Sequence, residues 1–272
     1  MKFTNVQRIE MLNAADNERN KKKAAKMKLD ANALNLSLST QIYRIFSYDR
    51  FLNLLKERQN TLVRPSMWED PFENILFNHT YLDTNGNIID ISSIRDSWYG
   101  QSWTSKIDEC DGLWRVYSNN GQTRCVRVKS TVKKIFSPLY DFEMMKEWQC
   151  FIGRVEYVSE NRILNLLEMS QIISTDRLNI NQAQLLLTKR QEFKYEQEVR
   201  ILYCKGVQLN NHNVLYKYDI DPDEIFEEVL LDPWLPDRSE KNLQDEIYCA
   251  GYHGKVRKSQ LYAKVGYTTI VV

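Results

Sequence analysis

The chain has 272 residues, of which 43% are hydrophobic and 27% are charged, so it is long enough for one large domain or two small ones. Its formal net charge of +1 gives no overall electrostatic field that would indicate a nucleic-acid partner. No apolar run reaches the roughly 20 residues that cross a bilayer, and the first residues are polar, without the apolar core of a signal peptide. We therefore expect a cytoplasmic protein without a membrane partner.

The N-terminal stretch has the composition of a helix. Residues 5–35 are rich in alanine, leucine, lysine and methionine and contain neither proline nor glycine. We predict one or two helices here, as a basic helical extension over residues 1–38. A single α+β catalytic domain is expected to follow over residues 39–272.

A basic run begins within this extension at Lys21, Lys22 and Lys23. Such a run is typical of a solvated helix face or a frayed tail. Its functional alternative is a contact to phosphate or to an acidic partner, so the three lysines are candidates for binding a substrate or partner.

Beyond residue 39, short β-branched and aromatic runs mix with amphipathic stretches. We predict strands at 41–46, 62–64, 97–105, 123–128, 153–158, 193–203, 228–231 and 256–262. We predict helices at 51–58, 108–117, 159–189 with an interruption near Asn179, and 239–248. Because the elements do not repeat regularly as β-α-β, the pattern favours an α+β fold with a mixed, mostly antiparallel sheet.

Several common sites are missing from the sequence. The chain has only nine glycines and contains neither G-x-G-x-x-G nor G-x-x-x-x-G-K-[ST], which argues against Rossmann and P-loop phosphate cradles. It also lacks the G-x-S-x-G elbow of hydrolases. The five cysteines and three histidines are scattered rather than clustered, so we predict no metal site and mostly buried, free thiols.

The strongest local pattern is Tyr-Glu-Gln-Glu-Val-Arg at residues 195–200. On a strand, alternate residues point to one side, so Glu196, Glu198 and Arg200 are expected to share a face. One interpretation is a solvent-exposed charged ladder in which Arg200 compensates the two carboxylates. The other is a functional pair of carboxylates, because two like charges on one face repel each other unless a cation neutralises them or the protein uses them in its function.

Two other segments add to this pattern. Arg44 stands alone on the apolar first strand, and Ser102, Thr104 and Ser105 place hydroxyls on a middle strand around Trp103. Taken separately, Arg44 is also typical of an ordinary arginine on an edge strand. The hydroxyls at 102–105 are also typical of a half-buried strand whose outer positions are polar.

In this order, Arg44, the 102–105 segment and the Glu196/Glu198 pair resemble the Arg–Ser–Glu arrangement of ADP-ribosyltransferases. The resemblance implies an ADP-ribosyltransferase-type sheet and NAD as co-substrate, held by the arginine. It implies that Ser102, Thr104 or Ser105 braces the nicotinamide ribose and that Glu198 is catalytic. The superfamily binds NAD without a glycine loop, which fits the few glycines here.

The same resemblance suggests roles for the remaining candidates. Glu196 would position or deprotonate the attacking group, and Arg200 would face the substrate or partner. Trp114 or Tyr117 would stack on a ring of NAD, although their helical spacing fits core packing as well.

A second resemblance covers roughly residues 41–262 and is to a bacterial family of unknown function. Its hallmarks stand here as Tyr43-Arg44, Asp70-Pro71-Phe72-Glu73, Trp103-Thr104-Ser105, Leu113-Trp114-Arg115-Val116-Tyr117 and the 195–200 pattern. Glu69 departs from the asparagine that often precedes Asp-Pro in that family. Asp70 followed by Pro71 is also typical of a capped helix start.

Three functions remain open at this point. The first, implied by resemblance, is transfer of ADP-ribose from NAD to RNA, DNA or protein by a toxin or antiviral defence effector, with an antitoxin or chaperone as a further partner. The second is a Mg²⁺-dependent nuclease or phosphodiesterase with Asp70, Glu73, Glu196 and Glu198 as oxygen ligands. The third is a noncatalytic binding or sensing module with an exposed charged ladder.

Overall fold

The computed structural model describes residues 5–74, 77, 79–142, 149–169, 180–206 and 213–263. The chain divides into two compact units, each assembled from segments distant in sequence. The first unit comprises Met1–Ile42, Gln59–Lys106 and Thr131–Ile220, and the second comprises Tyr43–Arg58, Ile107–Ser130 and Asp221–Val272. None of the helices in these described ranges has the length and apolarity to cross a membrane.

The helices are short, and all but the first two lie between strands along the chain. The α-helices are α1 Asn5–Asp16, α2 Lys21–Asn32, α3 Tyr48–Glu57, α4 Ser92–Arg95, α5 Asp111–Tyr117, α6 Val132–Phe142, α7 Glu160–Met169, α8 Ile180–Leu186, α9 Pro222–Ile225 and α10 Asp237–Cys249. Within the described ranges, 3₁₀ turns occupy Pro65–Met67, Pro71–Asn74 and Gln191–Glu196.

The strands are β1 Gln41–Ser47, β2 Gln59–Val63, β3 Tyr81–Leu82, β4 Ile88–Ile89, β5 Trp98–Thr104, β6 Cys125–Thr131, β7 Cys150–Arg154, β8 Glu156–Val158, β9 Thr188–Arg190, β10 Glu198–Cys204, β11 Leu215–Asp219, β12 Glu228–Leu231 and β13 Lys255–Lys258. Strands and helices mix without a regular repeat. The predicted α+β class with N-terminal helices is therefore confirmed.

The sheet of the first unit is antiparallel and runs in the order β11-β2-β5-β10-β7. Strand β10 pairs with β5 on one side and with β7 on the other, and every one of its seven residues is buried. A separate parallel pair joins β8 to β9. The predicted mixed, mostly antiparallel pairing is thus confirmed, and Glu198 opens the most buried strand.

The core of the first unit packs around β10. Leu202 on that strand clusters with Trp98, Phe151 and Leu186, all of them buried. The N-terminal helices belong to this unit, because the buried Arg8 guanidinium donates to the side chain of Asn32 and lies 5.1 Å from the ring centre of Phe151.

The second unit has its own sheet and core. Strand β12 pairs antiparallel with β6 and parallel with β13, in the order β1-β6-β12-β13. Ile45, Trp114, Cys125 and Leu230 form a buried cluster. The predicted boundary between residues 38 and 39 stays a prediction.

Several predicted boundaries are wrong. The strand expected over 193–203 begins only at Glu198, because residues 191–196 form a 3₁₀ turn. Residues 188 and 189, predicted as the end of a long helix, lie in strand β9. The interruption expected near Asn179 lies outside the described residues.

The free thiols are distributed largely as predicted. Cys125, Cys150 and Cys204 are buried, whereas Cys110 is partly buried and Cys249 is exposed. All five are free cysteines, and desolvation raises the pKa of Cys125 to about 12, so this thiol stays protonated at neutral pH.

Gly153 on β7 leaves room for the side chain of Leu187, the residue that follows α8. A Cβ at this position would lie 2.6 Å from Leu187 Cδ1, which is closer than carbon atoms can pack. We expect Gly153→Ala to lower the free energy of unfolding by about 1–3 kcal/mol. The matched control is Gly112→Ala on α5, where the nearest atom would be Cys110 Sγ at 3.8 Å. Urea unfolding should show the first variant destabilised and the second unchanged or slightly stabilised.

Candidate active site

The pairing of β10 with β5 brings the predicted carboxylate and hydroxyl side chains together. Glu198 lies opposite Thr104, and Arg200 lies opposite Ser102. Directly opposed residues of antiparallel strands point to the same side of the sheet. These four side chains therefore share one face, as the sequence pattern predicts for Glu198 and Arg200.

Glu198 and Arg200 form a buried bidentate ion pair. Arg200 Nε donates to Glu198 Oε1 at 2.7 Å, and Arg200 Nη2 donates to Glu198 Oε2 at 2.9 Å. Only 4% of Glu198 and 0% of Arg200 is exposed, so the interpretation as a solvent-exposed ladder is wrong for both. Burial by itself would raise the pKa of Glu198, but the Arg200 guanidinium, Lys189 and a hydrogen bond with Ser102 outweigh it and lower the pKa to about 2.

The remaining donors and the face of Arg200 are also occupied. Its Nη1 donates to the carbonyl oxygen of Leu186 at 2.7 Å, and its guanidinium lies 4.4 Å from the ring centre of Trp68. Gly100 on β5 leaves room for that indole, since a Cβ there would lie 2.7 Å from Trp68 Cζ2. The arginine is therefore fixed in one orientation and, in turn, fixes Glu198.

Lys189 on β9 joins three carboxylates. Its Nζ lies 2.6 Å from Glu196 Oε2, 2.8 Å from Glu73 Oε1 and 3.4 Å from Glu198 Oε2. Desolvation would lower the pKa of Lys189, but Glu198 and Glu73 outweigh it and raise this pKa above the ordinary value. Lys189 is therefore a permanent cation at the centre of the cluster.

Glu196 reaches this cluster from the 3₁₀ turn rather than from the strand. The next residue, Gln197, has a φ of 46°, in the left-handed region. The Thr104 hydroxyl donates to the carbonyl oxygen of Glu196, and the Ser105 hydroxyl donates to that of Gln197. Two of the predicted ribose-binding hydroxyls thus hold the backbone that presents Glu196.

The Glu196 carboxylate is the most accessible of the three, with 23% of its side chain exposed. Partial burial raises its pKa, and the nearby Glu198 and Glu73 charges act in the same direction, while Lys189 opposes them. The two neighbouring carboxylates therefore differ: Glu198 is held ionised, whereas Glu196 binds a proton more readily than an ordinary glutamate. Such a difference is what acid–base chemistry on a paired site uses.

The Asp-Pro-Phe-Glu segment forms the wall that carries Glu73. The Asp70 carboxylate accepts from the backbone N–H of Phe72, as predicted for a capped helix start, although the helix is a single 3₁₀ turn. Asp70 also pairs with Arg190 at 3.1 Å, and the Arg190 guanidinium lies 4.5 Å from the ring centre of Phe72. This link anchors the turn to β9, beside Lys189.

The arrangement bears directly on the metal-dependent alternative. Three of its four proposed oxygen ligands, Glu73, Glu196 and Glu198, lie together around the Lys189 ammonium. The fourth, Asp70, pairs with Arg190. A lysine at that position supplies the positive charge that a divalent cation would supply. Within the part of the chain that the structure describes, no group of histidine, cysteine and carboxylate side chains is arranged to hold a metal ion.

The other predicted site residues lie outside this cluster. Arg44 belongs to the second unit, where its guanidinium lies 5.0 Å from the ring centre of Phe46. Trp114 has 0% exposure in the core of that unit and donates to Glu109, whereas Tyr117 is 47% exposed. The position of Trp114 is that of a core residue, and the NAD contacts of Arg44, Trp114 and Tyr117 stay predictions.

The basic run lies on the first turns of α2. Lys21, Lys22 and Lys23 are exposed, and Lys23 pairs with Glu18 at 2.6 Å. Asn20 caps this helix by accepting from the backbone N–H groups of Lys22 and Lys23. The run is thus a solvated helix face, and its contact with a partner stays a prediction.

Sequence reasoning did not find Lys189, Trp68 or Tyr157 as parts of the site. Tyr157 accepts a hydrogen bond from the backbone N–H of Glu198 at 2.8 Å. Lys189 lies in a polar Thr-Lys-Arg strand that carries no strand signal, and nothing in the sequence distinguishes it from other lysines. The sequence indicated Glu73 only as part of the Asp-Pro-Phe-Glu motif and as a ligand in the metal-dependent alternative.

Comparison with known proteins gives one family and several structures. Residues 113–201 match a family described as "Protein of unknown function (DUF2971)". This supports the resemblance to a family of unknown function over those residues, which include Trp114, Tyr117 and the 195–200 pattern; Tyr43-Arg44 and Asp70–Glu73 precede the match. No curated protein matches the chain.

Three similar solved structures are complexes of DarT of Thermus sp. 2.9. Its complex with NAD⁺ is 11% identical, with a TM-score of 0.38 over 83% of this chain and 98% of that chain. Its complex with ADP-ribosylated ssDNA is 12% identical, with a TM-score of 0.37 over 84% and 98%. Its complex with carba-NAD⁺ is 9% identical, with a TM-score of 0.35 over 83% and 98%.

Proposed function

We propose that the chain is an NAD-dependent ADP-ribosyltransferase that modifies a macromolecule. The observation that carries this proposal is the pair of unequal carboxylates: Glu198 is buried in the strand and held by Arg200, whereas Glu196 lies on the adjoining 3₁₀ turn with 23% of its side chain exposed. Ser102 stands next to Glu198, and Thr104 and Ser105 hold the turn that carries Glu196. Apart from Arg44, which belongs to the second unit, these are the residues that the motif order assigns to the reaction.

The reaction suits this charge distribution. The bond between the ribose C1′ and the nicotinamide nitrogen breaks, its electron pair leaves with nicotinamide, and positive charge develops on the ribose ring. A fixed carboxylate close to that ring stabilises the developing charge without having to reorganise. The acceptor heteroatom then bonds to C1′ and loses its proton.

The two glutamates divide these tasks. Both oxygens of Glu198 already accept hydrogen bonds from Arg200, so Glu198 contributes mainly a fixed negative charge. Glu196 is more exposed and its pKa is raised, so it is the group that takes the proton from the acceptor. Arg200 acts by holding Glu198 rather than by binding the substrate.

The macromolecular acceptor is RNA, DNA or protein. The exposed Lys21 and Lys22 at the start of α2 would contact a nucleic-acid phosphate or an acidic neutralising protein. We propose a toxin or antiviral defence effector as the setting of this activity, with an antitoxin or chaperone as its partner.

A transfer assay tests the function. Purified protein is incubated with candidate DNA, RNA and lysate protein, using NAD labelled either in the adenylate or in the nicotinamide ring. We expect the adenylate label to move to an acceptor and the nicotinamide label to be released, with no effect of EDTA. Failure of both labels to move would end the proposal, and EDTA-sensitive cleavage of the nucleic acid would favour the nuclease instead.

A further inference from the structure

The 3₁₀ turn Pro71–Asn74 brings a third carboxylate to the site, and the function proposed above gives it no task. Glu73 Oε1 lies 2.8 Å from Lys189 Nζ and 3.0 Å from Arg200 Nη2. Only 8% of Glu73 is exposed. It is therefore placed to act on its two cationic neighbours rather than on a substrate.

Glu73 changes how the positive charge of the cluster is shared. Glu73 and Glu198 are both nearly buried and together balance Lys189 and Arg200. Glu196 is then the carboxylate in excess, although its oxygen lies 2.6 Å from the Lys189 ammonium. Because that ammonium contacts three carboxylates, its positive charge neutralises Glu196 less completely than it would in an isolated pair.

We infer that Glu73 is a positioning residue that shares Lys189 with Glu196 and so keeps Glu196 basic enough to accept the proton of the attacking group. The inference rests on the proposed function, in which Glu196 is the proton acceptor. Asp70 and Arg190 support it by anchoring the turn from which Glu73 projects.

The surroundings of Glu196 agree with this sharing. Lys189 faces it from β9, Glu198 from β10, Glu73 from the 3₁₀ turn and Tyr157 from β8. Lys189 favours the ionised form of Glu196, whereas Glu198 and Glu73 add to burial in favouring the protonated form. Removal of the Glu73 charge should therefore lower the pKa of Glu196.

The test is the pH profile of transfer by Glu73→Gln. We expect the acidic limb of kcat to move down by about 0.5–1 pH unit. At neutral pH, kcat should fall on the order of three-fold because the base is weaker, while KM for NAD stays unchanged. The matched control is Glu192→Gln, which removes an exposed carboxylate from the 3₁₀ turn that carries Glu196 and should leave the profile as in the wild type.

A merely structural role for Glu73 would lower stability without moving the pH profile. A Glu73→Gln profile that coincides with the wild type, or an equal shift in Glu192→Gln, would therefore overturn the inference. Melting followed by circular dichroism shows how much of each variant is folded, so that rates refer to folded protein.

A carbon-13 NMR titration separates this inference from the proposed function. The Glu196 carboxyl resonance, identified by its loss in Glu196→Gln, should titrate above the ordinary glutamate value of about 4.3 and lower in Glu73→Gln. The titration requires no ADP-ribose transfer. A wild-type protein without transferase activity would therefore contradict the proposed function but not the sharing of Lys189 between Glu73 and Glu196. Should Glu73→Gln not fold, the wild-type titration decides: a midpoint at or below the ordinary value ends the inference.

Discussion

Arg200→Met is expected to lower the free energy of unfolding by about 3–5 kcal/mol at neutral pH. The substitution removes a guanidinium that is fully buried and that pairs with both Glu198 and Glu73. It leaves two carboxylates in a nearly dry site with Lys189 as their remaining cation, and an uncompensated buried charge is strongly destabilising. Urea unfolding of the variant and the wild type measures the difference.

The pH dependence of this difference identifies its cause. In the wild type the pKa of Glu198 is lowered to about 2, from a value near 4.5 in the unfolded chain. Ionised Glu198 therefore stabilises the folded state above about pH 4.5, and this contribution is lost as the pH falls toward 2. Without Arg200, the Glu198 carboxyl is stabilised by protonation, and the gap between the variant and the wild type should shrink over that range.

The matched control for this variant is Arg115→Met. Arg115 pairs with Asp111 at 2.8 Å with nearly half of both side chains exposed. Because solvent screens such an exposed pair, its loss should be small and should not depend on pH in the same way. A loss in Arg200→Met as small as that of the control would contradict the buried pair as a determinant of stability.

Glu198→Gln is expected to reduce the rate of ADP-ribose transfer by about 100- to 1000-fold. The amide keeps the size of the side chain and accepts a hydrogen bond from Arg200, but it removes the negative charge that would stabilise the ribose cation. Binding of NAD should change less than kcat, because the charge acts mainly in the transition state. Single-turnover release of labelled nicotinamide is the measurement.

Glu228→Gln provides a control with the same partner chemistry. Glu228 lies on β12 and pairs with Lys255 at 2.6 Å and with Arg257 at 2.8 Å, as Glu198 pairs with a lysine and an arginine. It is far from Glu198 in sequence and belongs to the second unit. We expect wild-type transfer by this variant. Equal activity of Glu198→Gln and the wild type would show that the Glu198 charge has no part in the reaction.

The sequence allowed the central pair to be predicted because strand periodicity is a local property. Glu198 and Arg200 are two residues apart on a strand, so their common face follows from the pleat alone. Their burial did not follow: a charged pattern looks the same on an edge strand and on β10, whose neighbours on both sides come from residues 98–104 and 150–154. Only those distant segments make the pair a buried one.

Glu196 lies near Glu198, as the pattern predicted, but it is held by a 3₁₀ turn rather than by the strand. The alternation from residue 193 predicted a continuous strand, but Gln197 takes a left-handed conformation and the strand starts after it. A single residue in the left-handed conformation leaves the alternation of residue types unchanged, so the sequence pattern does not reveal it. The hydroxyls of Thr104 and Ser105 hold this turn by donating to the carbonyl oxygens of Glu196 and Gln197, and their contact with the ribose stays a prediction.

Lys189 could not be predicted because its significance is purely tertiary. It follows α8 in a short strand of polar residues, and the helical pattern before it extended naturally through it. Its three carboxylate partners come from residues 73, 196 and 198. A lysine in a polar segment is ordinarily exposed, and only the folded chain shows that this one is not.

Strand β10 is buried along its whole length and is hydrogen-bonded on both edges. Backbone amides in such a strand exchange with solvent mainly when the entire unit opens, rather than through local fraying. We therefore expect the Glu198–Arg200 pair to persist until the first unit unfolds.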